Sequence, residues 1–213
     1  MTNAYQLRNA AYSKTVIKAL ESRYFDAYYC ETGAEAVQKA LELIPAGSVI
    51  GYGGSTTVTQ LGLLDHFRNE NYKLLDRDNA GSAEEKDAVQ RTIFSADWFI
   101  ASTNALSEDG ILVNIDGTGN RVAPMIYGPK NVLIIAGMNK VTKDFDSAWK
   151  RARGTAAPIN MARFAPLKSP CKETGACADC KSPDCICAYI STIRISRPAH
   201  KIKVILVGEN LGF

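Results

Sequence analysis

The chain has 213 residues, 46% of them hydrophobic, and a formal net charge of +3. That length suffices for one sizeable core; the apolar content excludes a disordered chain, and scattered rather than striped lysines and arginines argue against nucleic acid as a partner. No window approaches the roughly 18 to 20 apolar residues that span a bilayer, and Met1-Thr2-Asn3-Ala4-Tyr5 shows no basic-then-apolar leader, so a cytoplasmic protein is expected.

The spacing predicts a helix from about Tyr5 to Tyr24, with Leu7, Ala10, Ala11, Ile17, Leu20 and Tyr24 near one face. Ala27–Cys30 reads as a short strand. Thr32-Gly33-Ala34-Glu35 is a capping box that opens a helix carrying Val37, Ala40, Leu41 and Ile44, stopped by Pro45 and Gly47. Ser48–Gly51 reads as a buried strand, Thr57–Phe67 as a helix and Lys73–Asp76 as a strand. A second capping box, Ser82-Ala83-Glu84-Glu85, precedes a helix ending near Ser95. Asp97–Ser102, Ile111–Ile115 and Asn131–Ala136 are strands, the last apolar on both faces, and Phe145, Ala148, Trp149 and Ala152 mark another helix. Ala188–Ile195 and Lys201–Val207 read as two terminal strands, a hairpin around Arg197-Pro198.

Buried strands alternating with helices imply an α/β fold, a mostly parallel sheet with helices on both faces. No internal repeat or low-complexity linker is present. The expected organisation is a single domain over residues 1–213, with residues 165–190 as a cysteine-rich, metal-binding insertion.

Gly51-Tyr52-Gly53-Gly54-Ser55-Thr56-Thr57 lies between a strand and a helix, where open parallel sheets bind ligands. Gly51, Gly53 and Gly54 let backbone approach a ligand, and Ser55 and Thr56 add hydroxyls. A phosphate, carboxylate or enolate oxygen is the natural guest. The loop is neither a Walker loop nor a dinucleotide fingerprint; its bland reading is a tight turn capped by Thr57, with Gln60 completing the box. A second polar set gathers at other strand ends. Asp116 is the candidate general acid or base and Glu108 its partner, while Asn104, Asn114 and Asn120 suit substrate oxygens and Arg121 or Lys140 an anionic group. Glu108-Asp109-Gly110 and Asp116-Gly117-Thr118-Gly119-Asn120 read equally as ordinary turns. His66 and His200 have no partner at ligand spacing, and Trp98 and Trp149 read as core aromatics.

Five of the six cysteines lie close together: Cys171, Cys177, Cys180, Cys185 and Cys187. In a reducing compartment such crowding points to a metal rather than to disulfides. The spacing matches neither a standard ferredoxin run nor a paired zinc ribbon, and five thiols exceed the four sites of either centre. A [4Fe–4S] cluster is favoured over zinc, because a single Cys-x2-Cys pair with uneven flanks is closer to a ferredoxin run.

Several stretches resemble the lactate utilization (LUD) domain family: Gly51–Ser55, Asp76-Arg77-Asp78, Ser102–Ala105, Glu108–Gly110 and Asn114–Ala123. Pro170-Cys171, Thr174-Gly175, Cys177–Cys180, Ser182–Asp184 and the ending Val204–Phe213 are similar to its branch with a C-terminal cysteine segment. The resemblance implies a fold of the NagB/RpiA/CoA-transferase-like group, with Asp116 and the Gly51–Ser55 loop as site candidates. It implies a role in oxidising L-lactate or a related small hydroxy acid, with iron–sulfur partner subunits. A small anionic substrate, from the glycine loop, and a homo-oligomer are further expected associations. It also implies a ligand set of Cys171, Cys177, Cys180 and Cys187, since that branch carries arginine where this chain has Cys185. Two other readings stand beside it. One is an isomerase-, hydrolase- or CoA-transferase-like enzyme with a structural metal; the other is a non-catalytic redox sensor or assembly factor.

Overall fold

A computed structural model describes residues 4–69 and 71–213; Met1–Asn3, read above for a leader, lie outside the described residues. The chain begins with α1 (Ala4–Glu21), β1 (Asp26–Cys30), α2 (Gly33–Leu43), β2 (Val49–Tyr52), α3 (Thr56–Gln60), α4 (Leu63–Asn69) and β3 (Lys73–Leu74). It continues through α5 (Ala83–Thr92), β4 (Trp98–Ala101), β5 (Ala105–Ser107), β6 (Leu112–Asp116), α6 (Val122–Tyr127), β7 (Asn131–Gly137) and β8 (Val141–Thr142). The last elements are α7 (Phe145–Arg151), α8 (Ala157–Met161), α9 (Pro170–Thr174), β9 (Tyr189–Ile193) and β10 (Ile202–Val207).

Six strands form a parallel sheet in the order β1-β10-β7-β4-β2-β3. Its faces follow from the two-residue period of a strand. Along β7, Leu133 and Ile135 enter one core with the α2 and α4 residues Val37, Ala40, Leu63 and Phe67. Val132 and Ile134 enter a second core with Val16 and Leu20 of α1 and Phe99 of β4. Burying each such side chain contributes roughly 1.5–3 kcal/mol, and no water-facing side remains in the middle of the sheet.

Helices lie on both faces as expected, α2 and α4 on one and α1 on the other. The α1 face is also covered by a second sheet, order β8-β5-β6-β9, whose Leu106, Leu112 and Ile193 share the second core. The far side of that small sheet carries a third core, in which Ala105, Val113 and Ile115 meet Ala148, Ala152 and Ala157, with Cys187 packed against it.

The terminal hairpin does not form. β10 lies between β1 and β7, whereas β9 pairs antiparallel with β6. Five of the six β10 residues are buried, as an interior strand requires, whereas β9 keeps Tyr189 and Thr192 exposed, as an edge allows. The helix expected over Thr57–Phe67 is broken at Gly62, whose φ of +64° no helix accommodates. The buried face of α1 is Asn9, Ser13, Val16 and Leu20, while Leu7 and Tyr24 stay exposed. Apolar spacing missed it because Asn9 is buried through a hydrogen bond, its Nδ2 donating to Gly208 O at 2.8 Å. In both capping boxes the cap forms where expected, Thr32 Oγ1 accepting from Glu35 N at 3.2 Å and Ser82 Oγ from Glu85 N at 3.1 Å. Only the returning carboxylate reaches one residue further back: Glu35 accepts from Glu31 N at 2.8 Å, and Glu85 from Gly81 N at 2.7 Å.

Candidate functional site

Four strand ends deliver their loops to one opening. Gly54–Thr56 follow β2, Ser102–Asn104 follow β4, Lys140 follows β7, and Asp116–Thr118 close β6; all line a cavity of ≈ 750 Å³. That volume is ordinary for a small-ligand site. Arg77, Lys86, Arg121, Lys140 and Arg163 set five basic side chains in the lining against the carboxylates of Asp78, Asp116 and Asp184.

The glycine loop is shaped by its own hydroxyls. Ser55, not Thr57, caps α3, its Oγ accepting from Val58 N at 3.3 Å. Gln60 completes no box and instead accepts from Gly212 N at 2.7 Å. Thr56 Oγ1 accepts from Arg163 Nη1 at 2.8 Å, and the Arg163 guanidinium lies 5.7 Å from the Phe213 ring centroid. Arg77 stands over the Tyr52 ring at 5.6 Å. The turn that presents it is tied by Asp76, which accepts from Tyr52 Oη at 2.5 Å and Arg68 Nε at 2.8 Å. Burial works to raise the Asp76 carboxyl, but the Arg68 and Tyr52 hydrogen bonds outweigh it and hold it below the usual carboxylate range.

The second polar set is a closed network. Arg121 Nη1 donates to Ser102 O (2.7 Å) and Asn114 Oδ1 (3.0 Å), and its Nη2 to Asn104 Oδ1 (2.6 Å) and Ile115 O (2.7 Å). Asp116 accepts from four backbone N–H groups, those of Thr118 and Gly119 on Oδ1 and of Arg121 and Val122 on Oδ2. These residues therefore build the β6 turn and the start of α6. Asn104 and Asn120 reach the cavity, whereas Asn114, fully buried, does not. Gly51 and Gly53 lie behind the lining. Glu108 is not brought together with Asp116: it lies outside the cavity, bonded to Lys143 Nζ at 2.7 Å. Lys143 first and then Tyr12 hold its carboxyl below the usual range. His66 is exposed, and His200 Nδ1 meets Asp26 Oδ1 at 2.6 Å.

Lys140 is the most unusual group in the lining. It is 3% exposed, and its Nζ donates to Thr57 Oγ1 at 2.9 Å and Ser102 Oγ at 3.0 Å. Burial, reinforced by the Arg151 and Arg121 guanidiniums, pushes its ammonium down to about 7. Sequence reasoning offered it only as an alternative to Arg121 for holding an anion. Arg77 and Arg163 were not singled out. A basic residue just past the Lys73–Asp76 strand was a signal for Arg77; Arg163 had none.

The cysteine segment completes the cavity. Pro183–Ile186 line it together with Asn160, Arg163, Phe164 and Leu167. Ile186 passes so close to the Asp116-Gly117 turn that a Cβ on Gly117 would meet its Cα at 3.3 Å. Asp184 Oδ2 accepts from Lys168 N at 2.9 Å, and Lys172 Nζ donates to the Phe164, Ala165 and Leu167 carbonyls, at 2.7, 2.7 and 3.0 Å, which folds the approach to the segment around one ammonium. Cys185 thus lines the cavity, whereas Cys171, Cys177, Cys180 and Cys187 do not.

The cysteines are free thiols. Cys187 is pushed up to about 11, by burial first and then by Cys185, Cys180, Cys177 and Cys171, so five sulfurs share one neighbourhood. Among the described residues no three His, Cys, Asp or Glu side chains converge closely enough to hold a metal ion. The donor set suits a four-thiolate centre in kind. Asp179 pairs with Arg153, whose Nη2 also approaches Cys177 Sγ at 3.8 Å.

Fold and site together define an α/β protein with a basic cavity at the carboxyl edge of a parallel sheet. The model of the LUD domain matches residues 13–207, and the chain belongs to that family, which makes it a lactate-utilization-type protein. It is similar to a crystal structure of a DUF162 family protein from Deinococcus radiodurans, at 10% identity and a TM-score of 0.52, over 93% of this chain and 98% of that one. That likeness concerns the fold. Partial likenesses reach ribose 5-phosphate isomerase A from Methanocaldococcus jannaschii (18% identity, TM-score 0.36, 53% of this chain and 55% of that one). They also reach eIF2B beta from Chaetomium thermophilum (16% identity, TM-score 0.38, 56% of this chain and 42% of that one). No curated protein matches the chain. Among the described residues no helix is long and apolar enough to cross a membrane.

Proposed function

We propose that this protein binds a small hydroxy acid or its 2-oxo acid in the basic cavity and acts in the oxidation of L-lactate or a related compound. The observation that supports this most is the shared lining: a glycine loop flanked by Arg77 and Arg163, a buried Lys140, and the cysteine segment against the same opening. Guanidinium forks suit carboxylates, and the family relation favours lactate as the acid. Cys171, Cys177, Cys180 and Cys187 would hold an iron–sulfur or zinc centre, with Cys185 facing the cavity. An iron–sulfur centre there would supply electron relay between ligand and iron–sulfur partner subunits.

Two measurements test this reading. Anaerobically purified protein is expected to contain iron and sulfide; zinc without sulfide would make the segment a structural clip, and neither metal would remove the centre from the proposal. Calorimetric titration with L-lactate and pyruvate is expected to show binding that Arg163→Gln weakens by roughly tenfold or more, as for loss of a charged hydrogen bond. Absence of binding by the unaltered, metal-loaded protein would contradict the acid-binding role.

A further inference from the structure

We propose that Lys140 is a nucleophile that captures the carbonyl carbon of a 2-oxo acid as an imine in this cavity. The proposal rests on reading the cavity as a small-carboxylate site and adds a covalent step to it. Lys140 is buried, yet its side chain lines the cavity. Among the described residues its ammonium has no carboxylate partner; it donates instead to the hydroxyls of Thr57 and Ser102. A buried cation without a counter-charge is costly. Lys201, the other buried lysine among the described residues, also lacks a carboxylate, but it lies outside this cavity, so only Lys140 is placed to meet a ligand.

The surroundings favour the neutral amine. The Arg151 and Arg121 guanidiniums lower the ammonium further than burial alone. A neutral, desolvated lysine is the ordinary form of an imine-forming residue. Arg163, which follows α8 and donates to Thr56 Oγ1, sets a cation in the same lining for the carboxylate of the acid.

The step balances without an outside oxidant or reductant. The Nζ lone pair forms the new C–N bond as the carbonyl electrons move to oxygen. The two amine protons then pass to that oxygen, with the Ser102 and Thr57 hydroxyls placed as relays. The oxygen leaves as water, and the C=N bond remains. The resulting imine is reversible by hydrolysis and withdraws electrons from the carbons on either side.

The test is reductive trapping. The full-length protein is incubated at pH 7 with pyruvate and cyanoborohydride, then digested and mapped by mass spectrometry. Pyruvate binding is followed in parallel by ligand-observed NMR without reductant. The expected result is a carboxyethyl adduct on Lys140, enriched more than about tenfold over any surface lysine, because a lysine titrating near 7 holds about a thousandfold more neutral amine there. Lys140→Met is expected to lose that adduct while still melting cooperatively. Binding without an adduct, or adducts spread evenly over surface lysines, would overturn the imine and leave the carboxylate site standing. Absence of both binding and adduct would overturn both.

Discussion

Replacing Arg121 by methionine is expected to destabilise the protein by about 3–5 kcal/mol, the range for removing one partner from a buried charged network. Its guanidinium holds four acceptors from two separate segments: Ser102 O and Asn104 Oδ1 in the loop between β4 and β5, and Asn114 Oδ1 and Ile115 O within β6. Methionine fills similar volume but donates nothing, so these acceptors lose their charged donor. A lysine could not repair the loss, since one ammonium lacks the planar fork. In a chain of this size the melting temperature is expected to fall by roughly 10 °C. An unchanged melting temperature would mean that the acceptors find other donors and that Arg121 is not the clamp of the β6 turn.

Lys140→Met is expected to act in the opposite direction, and in a pH-dependent way. The Lys140 ammonium falls from an ordinary 10.5 to about 7 in the folded protein. Between those values the unfolded chain binds more protons than the folded one, so stability rises with pH across that window. Below pH 7 both states are protonated and the folded state carries the whole penalty, on the order of 4–5 kcal/mol. Lys140→Met removes that penalty and also removes two hydrogen bonds to hydroxyls, worth about 1 kcal/mol each. The variant is therefore expected to be the more stable protein at pH 6, with an advantage of about 2–3 kcal/mol that vanishes at about pH 9 and turns into a deficit of about 1 kcal/mol at pH 10. Denaturant unfolding across this range checks it. Lys201 and Lys203, also lowered by burial, contribute alike to both proteins and cancel in the difference. Parallel stability curves would show that Lys140 stays charged in the folded state.

What was legible in the sequence follows physical lines. Strands buried on both faces, such as Asn131–Ala136, announce themselves by unbroken apolar runs and gave the parallel sheet. The second sheet was hidden because β5 has three residues and β8 two, too short for any period to register. Pairing was also out of reach. The two terminal strands are neighbours in sequence, and only the burial of β10 against the half-exposed β9 separates them into different sheets. The glycine loop does lie between a strand and a helix, as its flanking patterns implied, and its Gly54–Thr56 line the cavity. For Asp116 the sequence offered both a candidate acid–base and an ordinary turn; its four N–H partners are backbone groups of its own turn, which residue types do not reveal. Lys140 was undervalued for a similar reason. Its burial depends on the approach of Gly212, where an added Cβ would lie 3.0 Å from Nζ, and of Thr57, both far away in sequence.

The central claim is that the glycine loop and the cysteine segment enclose one site for a small carboxylate. The most direct measurement is amide chemical-shift mapping of the ¹⁵N-labelled protein during titration with pyruvate. The expected result is that amides of Gly54, Ser55 and Thr56 move together with those of Asp184, Cys185 and Ile186, with a single midpoint. Shifts confined to one of the two segments, or found only elsewhere on the surface, would contradict a shared site.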